Sequence, residues 1–289
     1  MNVCTALWMA VPRGLLGAIP LALVSLIGAA QAGEVGDASD VGRFSAGKTC
    51  FRCDLRYESG HQVDLKKADF RGAYMYNINL VGAGLIDARM ESANLQMASL
   101  ERADLTRARL DRATVTEANF MGATLIGASL RQLVARKSNF DGADLSDADL
   151  TTADMQASSL VNVFAENANF RSANLQQVNF TAARMSLARF AGADLTDANL
   201  SRAELLNASF QRARLPGADL SHASLAYSNF SGALLGGANL RHADLTGVNL
   251  TNADLTGADL TGAEIGSAVL EGALTCDTIF PNGKKNPPC

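Results

Sequence analysis

Few residues in this chain have the types and spacing to do chemistry. His222 and His242 stand twenty residues apart, and two imidazoles brought together could hold a metal ion. Cys50 and Cys53 form a C-x-x-C pair whose sharper reading is a redox centre, and Cys276 and Cys289 add two more thiols. Arg102, Arg107, Arg109 and Arg112, with Arg136 and Lys137 further on, could meet an anion. Glu101, Asp104, Asp111 and Glu117 are interleaved with them, however, which is the pattern of a solvated mixed surface. The sequence has no Ser/His/Asp spacing and no glycine-rich phosphate loop. It therefore predicts no catalytic residue, no cofactor-binding residue and no enzyme activity.

Composition bounds the partners. Among 289 residues, 25 Lys and Arg face 29 Asp and Glu, which argues against a dedicated nucleic-acid binder needing a basic field. At roughly 150 residues per domain, the length fits two domains or one elongated one. With 6% aromatic residues, the interior must be filled by small and medium aliphatic groups in some regular way.

The first 32 residues hold one cation, Arg13, then an apolar run from Leu15 to Ala29, then Ala30-Gln31-Ala32. This reads as a secretory signal cleaved after Ala32, since the run is shorter than the ~20 residues of a membrane-spanning helix. Cys4 leaves with it, and no stable membrane insertion is expected of the product. Losing Arg13 gives 24 cations against 29 anions, a net charge of minus five.

From Leu65 to Leu270 every fifth residue is large and apolar, with Ala135 and Ala165 the only exceptions in 42 positions. The unit has five slots: small, usually Ala; polar, often Asp or Asn; large, Leu or Phe; and two variable places. A five-residue period matches neither a helix nor a long strand, so the chain must turn once per unit. Slots one and three share a face of extended backbone, and a corner in slots four and five turns the next unit onto a new face. Pro216-Gly217 sits in those corner slots, as a type II turn favours. Four corners close a square coil of about twenty residues. Slot-three phenylalanines then fall on two opposite walls, Phe170, Phe190, Phe210 and Phe230 on one, Phe120 and Phe140 on the other. One slot-two column, from Asn79 and Ser99 to Asn239 and Asp259, reads as a hydrogen-bonded ladder running coil on coil. The 42 units make about ten coils and a rod of roughly 50 Å.

On these residues the chain resembles the pentapeptide repeat family, whose A-(D/N)-L-x-x signature covers about 210 of the 289 residues. The resemblance implies an all-β fold, a right-handed quadrilateral parallel β-helix, and little about chemistry. The expected organisation is a signal peptide at 1–32, an N-terminal linker or cap at 33–49, the repeat at 50–275 and a disulfide-closed cap at 276–289. Of the three pairings open to Cys50, Cys53, Cys276 and Cys289, a rod of ten coils excludes the two that join opposite ends, leaving Cys50 with Cys53 and Cys276 with Cys289. C-x-x-C redox chemistry usually needs a helix N-terminus to lower a thiol pKa, and none is in sight. The end segments are also similar to those of exported members of the family.

The coil sorts the remaining candidates. His222 and His242 stack one coil apart below Arg202, with no carboxylate or third His in their column, so no metal site is predicted. Thr246, Thr251, Thr256 and Thr261 lie on successive corners and circle the rod, unlike a flat ice-binding array. At Leu133-Val134-Ala135 and Val163-Phe164-Ala165 the large residue moves to slot one. Phe164 then occupies an outward slot, and with Val161 and Met121 it forms the candidate partner contact.

The expected function is an exported, non-catalytic rod acting as a protein-interaction or structural module in a periplasm or outside the cell, or in a thylakoid lumen in a photosynthetic source. The alternatives are a DNA mimic that binds a topoisomerase, disfavoured by the modest negative charge and the export signal, and an enzyme accessory protein of the envelope. The partner is a protein or envelope macromolecule and not nucleic acid, and an end cap could also seat a second copy in a homodimer. No cofactor is expected.

Overall fold

Every step of five residues repeats one local decision. In a computed structural model, residues 48–289 are described; the expected signal peptide and residues 33–47 lie outside them. Slots four and five form a two-residue turn, slot two carries a β-bridge, and slots one and three flank it. The slot-five residue takes positive φ throughout, as at Gly217 (φ 68°) behind Pro216, and slot-one N–H closes the corner on the slot-three carbonyl, as Ala83 does on Leu80 at 3.0 Å.

Each bridge joins a residue to the one twenty positions later, all parallel, from Thr49↔Asp69 to Asp259↔Ile279. The coil therefore has four walls. Wall A runs through the bridge residues Asp64 to Glu264 at steps of twenty, wall B through Thr49 to Val269, wall C through Asp54 to Leu274 and wall D through Ser59 to Ile279. The ladder exceeds the expected ten coils: it spans about eleven and a half, because backbone pairing continues where the apolar period fades, at Gly60 in slot three and beyond Leu270. It also runs past 275, so residues 276–279 complete a coil before the chain turns back in the antiparallel bridge Ile279↔Lys285.

Slots one and three fill the interior. Leu, Phe and Ala there are at most about 1% exposed along nearly the whole ladder, including the exchanged pairs Leu133 with Ala135 and Val163 with Ala165. The exchange conserves volume, so the core absorbs it. The phenylalanines stack on opposite walls as expected: Phe120 on Phe140 at 4.6 Å along wall D, and Phe170, Phe190, Phe210 and Phe230 in a column along wall B with spacings of 5.0, 4.8 and 4.4 Å. Phe180 crosses from wall D to meet Phe170 edge-on at 5.8 Å.

Backbone accounting explains slot two. Slot-two N–H reaches the coil before (Asn79 to Glu58, 2.9 Å), while slots three and five donate to the coil after (Leu80 to Ser99, 2.7 Å; Gly82 to Glu101, 2.8 Å). Only the slot-four N–H has no backbone acceptor in this scheme. The Asp or Asn two residues earlier supplies one: Asn79 Oδ1 accepts from Val81, Asn139 Oδ1 from Asp141, Asp219 Oδ1 from Ser221 and Asp259 Oδ1 from Thr261, at 2.8 to 3.1 Å. This corrects the expected ladder. In the Asn79 to Asp259 column the Asp and Asn side chains close their own corners, and among the described residues the bond joining two members of the column is Asn239 Nδ2 to Asp219 Oδ1 at 2.9 Å.

Candidate interaction surfaces

With the interior filled, the described repeat displays its remaining side chains outward on four walls and four corners. The two histidines lie where the period puts them. Their rings stack with centroids 5.0 Å apart and an angle of 17°, both exposed. Gly262 continues their column, and a Cβ there would come within 2.5 Å of His242 Nδ1, so the absent side chain makes room for the imidazole. Among the described residues no group of three or more His, Cys, Asp and Glu is placed to hold a metal ion.

Four of the six basic residues, Arg102, Arg107, Arg109 and Arg136, are paired with carboxylates, while Arg112 and Lys137 are exposed. Arg107 grips Asp87 through two bonds of 2.8 and 3.0 Å, Arg102 lies 3.6 Å from Glu101, and Arg136 lies 2.6 Å from Asp154. Arg109 belongs to a longer chain of ion pairs along one side of wall B. Arg71 meets Asp69 at 2.6 Å, Arg89 lies between Asp69 and Glu91 at 3.9 and 3.7 Å, and Arg109 lies between Glu91 and Asp111 at 3.2 and 3.6 Å. Arg131 closes the chain on Asp111 and Asp149 at 3.8 and 3.0 Å. Within that chain four cations balance four anions. The shallow hollow beside Arg109 and Arg112 is lined by Glu91 and Asp111 as well. The hydrogen bonds from Arg71 hold the Asp69 carboxyl below its ordinary range, and Arg56 does the same for Asp54.

Phe164 points outward from wall A and is 40% exposed, with the Arg184 guanidinium of the next coil 5.3 Å from its ring centre. Val161, half-buried, sits at the adjoining corner. Met121, 38% exposed, shares Val161's column two coils away, with Asp141 between them. Sequence reasoning missed a second cluster, in the N-terminal coils. Tyr57 packs edge-on against Tyr76 at 5.5 Å, and the Tyr76 hydroxyl donates to Met97 Sδ at 2.9 Å. Numbering modulo twenty was the available signal, since 57, 76 and 97 fall at one corner. Thr246, Thr251, Thr256 and Thr261 occupy four different corners, each donating its N–H to its own slot-two residue.

Both cysteine pairs sit at bonding distance, with Cα separations of 5.4 Å for Cys50 and Cys53 and 5.2 Å for Cys276 and Cys289. Among the described residues no helix is long and apolar enough to cross a membrane.

A four-sided parallel solenoid with a corner every five residues and side chains displayed only on its exterior defines a class of repeat proteins. Family comparison agrees: Pentapeptide repeats match residues 83–120, 203–241 and 223–262, and the Pentapeptide repeat region matches 135–210, together more than half of the chain. The chain belongs to the pentapeptide repeat family, and its coil is a right-handed quadrilateral β-helix. Among solved structures it is similar to HetL, a pentapeptide repeat protein involved in heterocyst differentiation regulation in Nostoc sp. strain PCC 7120, at 28% identity over 86% of this chain and 96% of that one, with a TM-score of 0.27. It is also similar to QnrB1, a plasmid-mediated fluoroquinolone resistance protein, at 23% identity over 63% of this chain and 88% of that one, with a TM-score of 0.41. A thylakoid-lumen member from Arabidopsis thaliana is 33% identical over 40% of this chain and 70% of that one, with a TM-score of 0.19. No curated protein matches the sequence.

Proposed function

We propose that the protein is an exported, non-catalytic rod that binds another protein or envelope macromolecule through the surface around Phe164. The observation that carries this reading is the exposed Phe164 ring held under Arg184, an aromatic and a guanidinium fixed together on a stiff wall. Aromatic and arginine side chains dominate the binding energy of protein interfaces, and a solenoid wall presents them at little cost in ordering. The apolar run with its Ala30-Gln31-Ala32 site and the two cysteine pairs support an oxidising compartment after export. The paired charges on wall B support a partner that is not nucleic acid.

In-cell cross-linking with mass spectrometry on the exported form tests the proposal. The expected result is a single macromolecular adduct near Phe164 that Phe164→Ser abolishes. An adduct unchanged by the substitution removes that patch, and inhibition of a topoisomerase by the purified chain would favour the DNA-mimic alternative.

A further inference from the structure

Wall D differs from the other three in charge. From Ser59 to Asn199 its eight bridge residues are all Ser or Asn. Over the same coils wall A carries Asp104 and Arg184, wall B Arg89 and Asp149, and wall C Asp154 and Asp194. Corner closure does not require this, because Asp219 Oδ1 accepts from Ser221 just as Asn179 Oδ1 accepts from Thr181, both at 3.0 Å. Repulsion between stacked carboxylates would call for an Asn after each Asp, and not for eight uncharged residues in a row.

What Asn adds to the corner is a side-chain amide donor. Where an aspartate lies in the coil before, that donor is consumed: Asn169 bonds Asp149 at 3.2 Å and Asn174 bonds Asp154 at 3.0 Å. Asn119, Asn139, Asn179 and Asn199 follow Ser or Asn instead, and their Nδ2 atoms have no acceptor among the described residues. Each Oδ1 accepts the N–H of its own corner, from Met121, Asp141, Thr181 or Ser201 at 2.8 to 3.1 Å, which fixes the amide. The result is a row of immobilised donors on the first, second, fourth and fifth of five successive coils. Neighbouring coils stand about 4.8 Å apart.

We infer that this stretch of wall D binds an uncharged, linear β-1,4-linked glycan laid along the rod. Charge selects the ligand class. A row of neutral donors complements a neutral polymer rich in acceptor oxygens, and the row itself offers no cation to hold a phosphate or carboxylate. Spacing selects within that class. A β-1,4-linked glycan is a straight ribbon whose rings advance by nearly the coil height, and each ring has acceptor oxygens on both edges, so alternately flipped rings keep meeting the row. An extended peptide offers carbonyls on one edge about 6.8 Å apart and would fall out of step by about 2 Å per coil. An α-helix has already spent its carbonyls on its own turns. Because the donors are held before the ligand arrives, binding orders few side chains. The inference goes beyond the Phe164 reading and does not rest on it, since Phe164 stands on wall A.

Isothermal titration calorimetry on the exported form, with chitohexaose and with cellohexaose, tests it. One or both should bind with a Kd below about 1 mM, and the comparison tells whether acetamido carbonyls or hydroxyls take the bonds. The corresponding disaccharide, too short to span the row, should bind at least about tenfold more weakly. Asn179→Asp keeps the acceptor for Thr181 and gives the Asn199 amide a partner, as Asp219 does for Asn239. It withdraws two donors from the row, so it should leave thermal unfolding unchanged and weaken hexaose binding about tenfold. Asn119→Asp should do the same through Asn139 at the other end of the row. Asn229→Asp, the same exchange on wall B, should leave binding unchanged, as should Phe164→Ser. No heat from either hexaose at about 1 mM, a disaccharide that binds as well as its hexaose, or wild-type affinity in Asn179→Asp and Asn119→Asp would overturn the inference.

Discussion

Asp141 closes a corner one coil away from its own: its Oδ1 accepts the Val161 N–H at 2.9 Å and the Ser159 hydroxyl at 2.5 Å. Ser159 occupies the slot where an Asp or Asn would have served Val161 directly. The same substitution recurs at Ser129, where Asp111 of the previous coil takes the Ser129 hydroxyl at 2.6 Å and the Arg131 N–H at 3.2 Å. At these two serines the slot-four aspartate of the coil before supplies the missing acceptor, whereas Ser99, Ser209 and Ser224 have Val81, Ala191 and Leu206 at the corresponding places.

Asp141→Ala should therefore cost about 1.5 kcal/mol, the value of a charged acceptor lost from a backbone donor. Ser159→Asn in the same chain should return most of that by supplying the local acceptor. Urea unfolding of the two single variants and the double variant checks this, and purely additive effects would count against the shared role.

Thr152 holds φ at 57° in a slot that many other units fill with Gly, and among the described residues it is the only β-branched side chain at positive φ. The left-handed conformation costs an L-residue roughly 1 to 2 kcal/mol, while Gly forfeits about 0.5 to 1 kcal/mol in chain entropy. Thr152→Asn should avoid both penalties in part and stabilise the protein by about 1 kcal/mol, with Thr152→Gly close behind. Thermal melts of the two variants give the comparison.

Much of this was legible before any coordinates. The unbroken phase of large residues at multiples of five dictates the coil, and arithmetic modulo twenty puts Phe210 over Phe230 and His222 over His242. What stayed hidden depends on reach. Whether Asn79 bonds its neighbour's column or its own Val81 N–H is decided by side-chain length and by which N–H the backbone leaves over, neither of which a period encodes. The ion-pair chain from Arg71 to Asp149 escaped for a related reason: its members alternate between slots two and four, so no single column displays it. The number of coils was underestimated because pairing at Thr49, Asp54 and Ile279 needs backbone alone and survives where the apolar signature has faded.

Acid should loosen the N-terminal coils through Asp69. Arg71 donates to it from Nε at 2.8 Å and from Nη2 at 2.6 Å, and holds its carboxyl below the unfolded value of roughly 3.9. A depressed carboxylate pKa contributes stability that is fully present above the unfolded value and is lost as pH falls through the folded one. Stability measured by urea at successive pH values should fall below about pH 4, and the fall should be shallower in Asp69→Asn. Identical slopes in the two proteins would show that this pair adds nothing.

The Cys276 to Cys289 link should matter far more locally than globally. It closes a segment of sequence separation 13 whose other ties include Asp277 N–H on Pro287 O at 3.2 Å, Asn286 N–H on Thr278 O and Phe280 N–H on Lys284 O at 2.9 Å, Asn286 Nδ2 on Thr275 Oγ1 at 2.9 Å and the Lys285 to Asp277 ion pair at 3.0 Å. Chain-entropy reasoning gives such a loop about 3 kcal/mol, whereas the Cys50 to Cys53 loop is already closed in the native state by a corner hydrogen bond of its own. Because each coil contacts only its neighbours, the loss on Cys289→Ser should stay near the tail. Hydrogen exchange should show the amides of Asp277, Phe280 and Asn286 losing most of their protection, while those of Leu200 and Phe210 keep theirs. A uniform drop along the whole ladder would mean that the tail supports the solenoid as a single cooperative unit.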